Sequence, residues 1–496
     1  MSINLKRAAA RMALLPAALA LLLASSAPAA TYDLVISGGR VMDPASGFDG
    51  VRNVGVSRGI IRAISSRPLA GKRRIDAHGL VVAPGFIDLH SHGQNALAYR
   101  LQAQDGVTSA LEMEEGVTEV PAWYQRRVGR AAINYGATAS LTVCRALAFG
   151  ATRASDHVEQ QNDLPKSAFA QTEWQFAEAT PAQHAKVLAC LQHGLDQGAL
   201  GIGVHMATTP GVTGPQLIEV FRLAARNRVP VHIHIRPVSM MEPVDAVGEA
   251  IADAETTGAA VQVCHLNSIG LSDTGKLVDM VLAAQKRGVR VTGEVYPYTA
   301  VSTNIGSAGV TKQNLKRSGS TFHDIEWVAT GERLTEETFD KYRAQSPEGR
   351  IVAHVMRDAD VDAAVVNPGI SIASDNVAYV GDLGHPRSAG TFSRVLARYV
   401  REKHALSLMD ALAKMTSQPA GWLGASVPAM KRRGRIQVSA IADIVVFDPE
   451  QITDNATYER PTLPSSGIAW VLVDGRAVVA DGVFQPSASP GQSIRR

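Results

Sequence analysis

At residues 82–92 the sequence reads VAPGFIDLHSH, an apolar run that ends in two histidines separated by one serine. Side chains two positions apart lie on the same face of a β-strand, so the imidazoles of His90 and His92 can reach one metal ion. The spacing alone does not identify a metal site, because His232 and His234 repeat it. The position of each pair in the fold is therefore the more informative property.

Strand-like and helix-like runs alternate from this segment onward. Helical patterns occupy Pro181–Gln197, Pro215–Arg226 and Lys276–Lys286. Eight apolar strands with helices between them predict an α/β fold, a (β/α)8 TIM-like barrel, with a doubly wound open sheet as the alternative. The candidate strands are Leu80–Leu89, Val107–Met113, Ala137–Cys144, Ala199–Val204, Val229–Ile235, Ala260–His265, Val289–Tyr296 and Gly369–Ser374.

Both ends of the chain have the pattern of short β-strands. Tight turns separate strands in the N-terminal segment, and two further strand patterns occupy Ala442–Phe447 and Ile468–Val473. Because chain termini often lie close together, we expect the two ends to form one small β-sandwich domain. The predicted domains are residues 31–82 and 431–496 for the β-sandwich, and 83–430 for the barrel, with a polar insertion around 300–350 beside its mouth.

The first 30 residues have the pattern of a secretory signal peptide. Lys6, Arg7 and Arg11 precede an apolar run from Met12 to Ala24, and small residues follow at 27–29. We therefore expect an exported protein, periplasmic or secreted. Without this segment the formal net charge falls from +3 to near zero, which argues against nucleic acid or an anionic membrane as a partner. No second long apolar run indicates a membrane span.

The three cysteines, Cys144, Cys190 and Cys264, allow at most one disulfide. They show no CxxC spacing, so a structural zinc site built from cysteines is not expected. A chain of this length does not need a disulfide to fold, and we interpret the cysteines as small core residues.

Histidines and one aspartate follow four of the candidate strands. His90 and His92 follow the first strand, His234 ends the fifth, His265 ends the sixth and Asp375 follows the eighth. Catalytic groups of barrel enzymes gather at the C-terminal ends of the strands. Imidazole and carboxylate donors at these positions suit Zn²⁺. The sequence therefore predicts a site for one or two zinc ions.

Eight further motifs follow residues 82–92 along the chain: Gly198–Gly201, His234–Arg236, Cys264–Leu266, Tyr296–Tyr298, Ser374–Asp375, Gly384–Phe392, Lys414–Ala420 and Ala442–Asp448. In this order they resemble the amidohydrolase superfamily and, within it, the N-acyl-D-amino-acid deacylases (D-aminoacylases). The resemblance covers nearly the whole chain after residue 30.

The resemblance implies zinc-dependent hydrolysis of N-acyl-D-amino acids or D-configured dipeptides. It implies His90, His92, His234 and His265 as metal ligands, and Asp375 as the acid/base that moves a proton between water and the leaving nitrogen. A cyclic amidase of the dihydroorotase or hydantoinase type, or a peptidase, is the alternative within the superfamily. An inactive, metal-holding binding protein is the alternative of another class. No Gly-x-Ser-x-Gly motif supports a nucleophilic serine.

The chain departs from the family at the end of the second strand. Deacylases of this family usually place a cysteine ligand there, whereas this chain has Glu112, Glu114 and Glu115. Ungapped alignment points to Glu115, but strand alternation puts Glu112 and Glu114 on one face. We favour Glu114 as the metal ligand, because a carboxylate can bind or bridge zinc.

A second departure concerns the carboxylate of the substrate. The family often has a lysine where this chain has Asn267, which carries no charge. Arg236, Arg317 and Arg387 are the candidate replacements, because a guanidinium group binds a carboxylate in a bidentate manner. Tyr298 can add a hydroxyl donor. The expected partner is a small acyl-amino acid or short peptide with a free carboxylate, and a homo-oligomer is compatible with the sequence.

Overall fold

A computed structural model of the chain describes residues 31–92, 94–151, 173–307 and 309–496. The signal peptide predicted for residues 1–30 lies outside these ranges. The strands are β1 (Thr31–Asp43), β2 (Phe48–Ser57), β3 (Ile60–Ser65), β4 (Ala70–Asp76), β5 (Val81–Pro84), β6 (Phe86–Asp88), β7 (Val107–Val117), β8 (Asn134–Ser140), β9 (Ile202–His205), β10 (Pro230–His234), β11 (Ala260–Val263), β12 (Val291–Val295), β13 (Val301–Asn304), β14 (Ile325–Trp327), β15 (Glu332–Arg333), β16 (Arg350–Ala353), β17 (Ser371–Ile372), β18 (Ile444–Phe447), β19 (Ile468–Val473), β20 (Arg476–Ala480) and β21 (Val483–Phe484).

Helices connect most of these strands. The α-helices are Ala96–Gln104, Val120–Gln125, Leu141–Ala148, Glu173–Phe176, Pro181–Asp196, Gly214–Asn227, Pro243–Thr257, Leu266–Gly270, Thr274–Lys286, Lys312–Arg317, Glu336–Gln345, Asp358–Val365, Arg387–Arg394, Leu408–Met415 and Ser417–Gly424. A π-helix, Val395–Glu402, continues the helix that begins at Arg387, and 3-10 helices occupy Leu271–Asp273, Phe322–Asp324 and Pro428–Arg432. Among the described residues, no helix combines the length and apolar character needed to cross a membrane.

Eight parallel strands form the barrel, in the spatial order β6-β7-β8-β9-β10-β11-β12-β17. A parallel bridge between Ser91 and Asn376 joins the chain just after the first strand to the chain just after the last. The backbone N–H of His92 also donates to the carbonyl of Asn376 at 2.9 Å. The barrel is therefore nearly closed. This confirms the predicted (β/α)8 fold and excludes the open doubly wound sheet.

The barrel helices form where capping and apolar spacing agree. In the helix Pro181–Asp196, the hydroxyl of Thr180 accepts the N–H of Gln183 at 3.3 Å, and the Gln183 side chain accepts the Thr180 N–H at 2.9 Å. This reciprocal cap satisfies backbone donors that the first turn leaves free. Val187, Leu191 and Leu195 then follow at intervals of four residues and are buried in the main core.

The predicted first strand, Leu80–Leu89, is divided between two sheets. β5 pairs with β18 of a terminal sheet, whereas β6 pairs with β7 of the barrel. Gly85 lies between them, and a Cβ atom there would lie 2.1 Å from Cγ2 of Thr108. Only glycine allows this close approach. The prediction of one continuous strand was therefore wrong at Gly85.

The predicted third strand ends early, at Ser140. The Ser140 hydroxyl accepts the N–H of Val143 at 3.2 Å and starts the helix Leu141–Ala148. Cys144 in that helix forms a disulfide with Cys190, and Cys264 is buried and free. The interpretation of Cys144 and Cys190 as unbonded core residues was therefore wrong.

The two ends of the chain meet in one nine-stranded sheet, which contains β1–β5 and β18–β21. β5 and β18 pair in antiparallel fashion, with Val82 opposite Val446, and this contact joins the N-terminal and C-terminal parts. One edge of β1 is shared between β4 and β5, so the strands form a single hydrogen-bonded sheet. One face of the sheet, with Val82 and Val446, has its own apolar cluster, whereas Val81 and Val445 on the other face belong to the main core of the barrel. The prediction that both ends build one separate β domain is confirmed; where the sequence predicted a β-sandwich, the strands are joined in one nine-stranded sheet.

A smaller sheet lies between the last two barrel strands in the sequence. Its order is β13-β16-β14-β15, and all of its pairs are antiparallel. Ile305, Ile325, Leu334, Phe339 and Ile351 form its own apolar cluster. This unit occupies the segment that the sequence marks as an insertion, and it forms one wall of the cavity described next.

Candidate metal centre and active site

A cavity of about 650 Å³ opens where the barrel strands end, between the barrel and the inserted sheet. Side chains that follow the strands line one side, and residues of the insertion line the other. The barrel side includes His92, Glu114, His205, His234, His265, Asp375 and Arg387; the insertion side includes Val301, Asn304, Arg350 and Ile351. The C-terminal end of a barrel is the usual place for an active site.

His90 and His92 face each other through their Nε2 atoms, which lie 2.9 Å apart. The Nδ1 atom of each ring contacts a carboxylate: His90 contacts Glu294, and His92 contacts Glu112 at 2.9 Å. A carboxylate at Nδ1 fixes the proton on that nitrogen. Both Nε2 atoms then present lone pairs to the same point. The two lone pairs repel each other, and a cation between the two Nε2 atoms would remove this repulsion.

Glu114 lies between two pairs of histidines. Its Oε2 is 3.1 Å from Nε2 of His90 and 3.3 Å from Nε2 of His92. Its Oε1 is 2.8 Å from Nε2 of His265 and 3.2 Å from Nδ1 of His234. Burial favours the neutral acid, but the imidazoles of His90 and His265 outweigh it and hold the pKa of Glu114 well below its usual value.

Asp375 connects this cluster to an arginine. Its Oδ1 lies 3.3 Å from Nε2 of His90, and its Oδ2 lies 2.9 Å from Nη1 of Arg387. Burial raises the pKa of Asp375, but Arg387 and His90 outweigh burial and lower it below the usual value. The preceding Ser374 donates its backbone N–H to Asp88 at 3.0 Å, and its hydroxyl also contacts Asp88. These bonds tie the Asp375 loop to the first barrel strand.

The donor set fits metal binding. Four overlapping groups have ligand atoms within 4.8 Å of one another: His90 with His92 and Glu114, Glu114 with His234 and His265, His90 with His265 and Asp375, and His90 with Cys264 and Glu294. The first two groups share Glu114, and all these side chains are largely buried. Nitrogen and carboxylate donors are the ligands that zinc takes in hydrolytic enzymes. Glu114 is thus common to two of the candidate donor groups.

The other two glutamates of β7 have different surroundings. Glu112 contacts Nδ1 of His92 and belongs to none of the donor groups among the described residues. Glu115 lies with its Oε1 3.6 Å from Nε2 of His205. The geometry thus places Glu114, rather than its neighbours, between the histidines.

The four residues predicted to bind the substrate, three arginines and Tyr298, differ in position. The guanidinium group of Arg236 is engaged by Glu249 at 2.7 and 3.0 Å, and Arg236 does not line the cavity. Tyr298 donates its hydroxyl to Asp454 at 2.8 Å and does not line the cavity either. Arg387 does line it. The side chain of Arg317, the other candidate, lies outside the described part of the structure.

Arg387 is almost completely buried, with 1% of its surface exposed. It stacks on the ring of Tyr296, with its guanidinium carbon 4.7 Å from the ring centre. None of its N–H groups has a well-aligned hydrogen-bond acceptor among the described residues, although Asp375 lies at ion-pair distance. Arg387 therefore retains donors for a bound molecule.

The sequence reasoning missed three residues of this cavity: His205, Tyr296 and Arg350. His205 ends β9, and its ring stacks on that of His234 with centres 4.2 Å apart. The strand-end criterion used for the other histidines would have identified it. The Tyr296 hydroxyl is buried without a hydrogen-bond partner in the described structure, whereas the predicted donor, Tyr298, is occupied. No sequence signal singles out Arg350.

Comparisons with known proteins identify the family of the chain. A profile of the amidohydrolase family matches residues 73–479. N-acyl-D-glutamate deacylase of Alcaligenes xylosoxydans xylosoxydans is 31% identical over 486 residues, which cover 94% of this chain and 96% of that protein. D-aminoacylase of the same organism is 27% identical, with 94% and 97% covered. Among solved structures, the chain is similar to N-acyl-D-glutamate deacylase from Bordetella bronchiseptica, crystallised with zinc and a phosphonate mimic of the tetrahedral intermediate. The TM-score is 0.75 at 27% identity, and the match covers 94% of this chain and 100% of that one.

Proposed function

The chain belongs to the amidohydrolase family, and we propose that it hydrolyses the amide bond of N-acyl-D-amino acids or D-configured dipeptides. One or two zinc ions would be held by His90, His92, Glu114, His234 and His265. The observation that carries the proposal is the Glu114 carboxylate, which lies between two histidine pairs with Asp375 beside them. When bound, zinc supplies Lewis acidity, which acidifies water and polarises a carbonyl oxygen.

Asp375 is the acid/base of this proposal. Its Oδ1 faces the histidine cluster, and its Oδ2 faces Arg387. The ion pair with Arg387 keeps the carboxylate ionised, so Oδ1 can accept a proton from the attacking water. The same oxygen then returns the proton to the leaving nitrogen, because an amine leaves poorly without one.

Support for a linear substrate with a free carboxylate comes from Arg387. A carboxylate in the cavity could accept from the Arg387 N–H groups, which lack a well-aligned acceptor although Asp375 lies at ion-pair distance. A hydantoin offers no such anion, so a hydantoinase explains this feature less well. Dihydroorotate does carry a carboxylate, so only the substrate panel separates a dihydroorotase from a deacylase. The D configuration rests on the relatives, which are named as deacylases of N-acyl-D-glutamate and as D-aminoacylase.

Export to the periplasm or medium is part of the same proposal. The pattern of residues 1–30 supports it, and so does the Cys144–Cys190 disulfide. Disulfides form and persist in oxidising compartments and are rare in the cytosol.

The test is a substrate panel with zinc-loaded protein: N-acetyl-D-amino acids, their L enantiomers, D-configured dipeptides, dihydroorotate and a hydantoin. We expect turnover of the N-acetyl-D-amino acids, loss of activity with a chelator and recovery with zinc. An Asp375→Asn variant controls for a contaminating hydrolase. Equal rates on the two enantiomers, or preference for a cyclic compound, would contradict the proposed substrate. Stoichiometric zinc without turnover of any compound would indicate a metal-holding binding protein.

A further inference from the structure

The cavity contains one cation that no described residue neutralises. Three arginines line the cavity among the described residues: Arg350, Arg357 and Arg387. Arg357 binds Asp360 through two hydrogen bonds of 2.6 and 2.9 Å, and Arg387 is 2.9 Å from Asp375. Arg350 has neither an ion pair nor a side-chain hydrogen bond within the described part of the chain. Its guanidinium group is therefore free to bind an anion.

The insertion fixes where Arg350 lies. Arg350 begins β16 and pairs with Asn304 of β13. Its carbonyl accepts the N–H of Val328 at 3.1 Å. Hydrogen bonds on both sides of the strand hold this backbone in place, so the side chain enters the cavity from a rigid support and not from a free loop.

The electrostatic surroundings favour an anion next to Arg350. Burial is the main factor that lowers the pKa of Arg350, to about 10, and the positive charge of Arg387 lowers it further. Asp375 and Glu115 act in the opposite direction. Arg350 is thus within electrostatic reach of Arg387 and of the proposed acid/base. Two guanidinium groups that face one cavity repel each other, and an anion bound between them would offset this repulsion.

Asn267 does not fill this role. It is 1% exposed, and its amide donates to the carbonyl of Tyr296 at 3.0 Å. It does not line the cavity. With Arg236 also engaged outside the cavity, Arg350 and Arg387 are the arginines of the described structure that can meet a substrate anion there.

We propose that Arg350 binds the α-carboxylate of the substrate and that Arg387 binds the same group from the opposite side. This inference rests on the proposed function. In an N-acyl-amino acid the α-carboxylate is attached to the carbon that carries the scissile nitrogen, so its binding group must lie close to the catalytic centre. Arg350 lines the same cavity as Asp375 and Glu114, and it lies near enough to Asp375 to interact with its charge. The insertion therefore selects substrates by a free carboxylate.

The kinetic test uses Arg350→Met, with Arg357→Met as the matched control. Both arginines line the same cavity, but Asp360 already occupies Arg357. The substrates are N-acetyl-D-alanine, which has only an α-carboxylate, and its carboxamide. We expect Arg350→Met to lower kcat/KM for the acid roughly ten- to a hundredfold, mainly through KM, because a charge-assisted bond is lost. Turnover of the carboxamide should change less than about twofold, and Arg357→Met should resemble the wild type.

A conservative variant separates a binding role from a structural one. Arg350→Lys keeps a charge but loses the bidentate geometry, so its KM should lie between those of the wild type and Arg350→Met. Circular dichroism checks that each variant is folded. Equal losses on the acid and the carboxamide would overturn the inference, as would wild-type KM values in Arg350→Met. A loss confined to N-acetyl-D-glutamate would assign Arg350 to a side-chain carboxylate and overturn the α-carboxylate assignment.

A binding experiment distinguishes failure of this inference from failure of the proposed function. N-acetyl-D-alanine is titrated calorimetrically into zinc-loaded Asp375→Asn and into the Asp375→Asn/Arg350→Met double variant. We expect binding to the first protein and at least tenfold weaker binding to the second. Equal binding to both would overturn only the role of Arg350. No binding to Asp375→Asn, together with no turnover by the wild type, would overturn the proposed function itself.

Discussion

The two halves of the cavity are built in different ways. In the metal half, His90, His92, His234 and His265 contact one another through Glu114, so each group depends on the others. In the half that faces the insertion, Arg350 has no ion-pair partner in the described structure, and the N–H groups of Arg387 lack well-aligned acceptors there. The first half is a connected cluster of nitrogen and carboxylate donors that fits a cation, whereas the second half has N–H donors that fit an anion.

This difference predicts how each half responds to substitution. Loss of one group from the metal half leaves several buried polar atoms without a partner, so the effect should spread through the whole cluster. Loss of one arginine from the other half removes only a contact with the bound molecule. The predictions below test this contrast in order of decreasing effect.

The largest effect is expected for Glu114→Ala. This variant removes the carboxylate common to both histidine pairs, so it should lose bound zinc and with it all measurable turnover. Replacing a residue that only hydrogen-bonds to a metal ligand lowers metal affinity or activity about 10–100-fold. Replacing Glu114, which is itself a proposed ligand, should lower them further. Zinc content by atomic absorption, together with kcat/KM, measures the effect. Glu115→Ala is the matched control and should retain most of its zinc; the reverse ranking would place the ligand at Glu115.

The next effect is expected for Asp375→Asn, at the boundary between the two halves. Asparagine preserves the shape but cannot carry a proton, so kcat should fall roughly 10²–10⁴-fold. Zinc content should change little, because Glu114 and the four histidines remain. Single-turnover kinetics and metal analysis on the same preparation measure both quantities. A variant with nearly wild-type kcat would show that another group moves the proton.

The fold and the metal half could be predicted because they depend on regular geometry. Strand periodicity predicts the eight strands of the barrel and the position of His234 at the end of one of them. It also predicts that Glu114 lies beside the histidines, whereas its role as a metal ligand stays a prediction. Glu112 and Glu114 indeed both face the histidines of the first strand. His205, at the end of β9, obeys the same rule and was missed only because the rule was not applied to that strand.

The half of the cavity that faces the insertion could not be predicted in the same way. Contacts between residues far apart in the sequence determine which of its side chains remain available to a ligand. Tyr298 was a reasonable candidate by position, but Asp454, 156 residues away along the chain, holds its hydroxyl. Arg236 follows a barrel strand, but Glu249 on the next helix engages it. Arg350 enters the cavity only because β16 pairs with β13 and β14 of the insertion. Hydrophobic periodicity contains no information about these partners.

The smallest effect on catalysis is expected for Tyr298→Phe. The lost hydroxyl binds Asp454 and not the cavity, so kcat and KM should stay within about twofold of the wild type. Stability should decrease by about 1–3 kcal/mol, because the largely buried side chain of Asp454 loses a hydrogen-bond donor. Urea unfolding and steady-state kinetics measure the two quantities. Arg236→Met should behave in the same way; a large rise in KM for either variant would bring that residue back into the substrate site.

The most direct test of the account is anomalous diffraction at the zinc absorption edge from crystals of the zinc-loaded protein. The account predicts that every zinc peak in the cavity contacts the Glu114 carboxylate, on the side of His90 and His92, on the side of His234 and His265, or on both. A peak bound by Glu115 and His205 without Glu114, or no peak at the ends of the barrel strands, would contradict it.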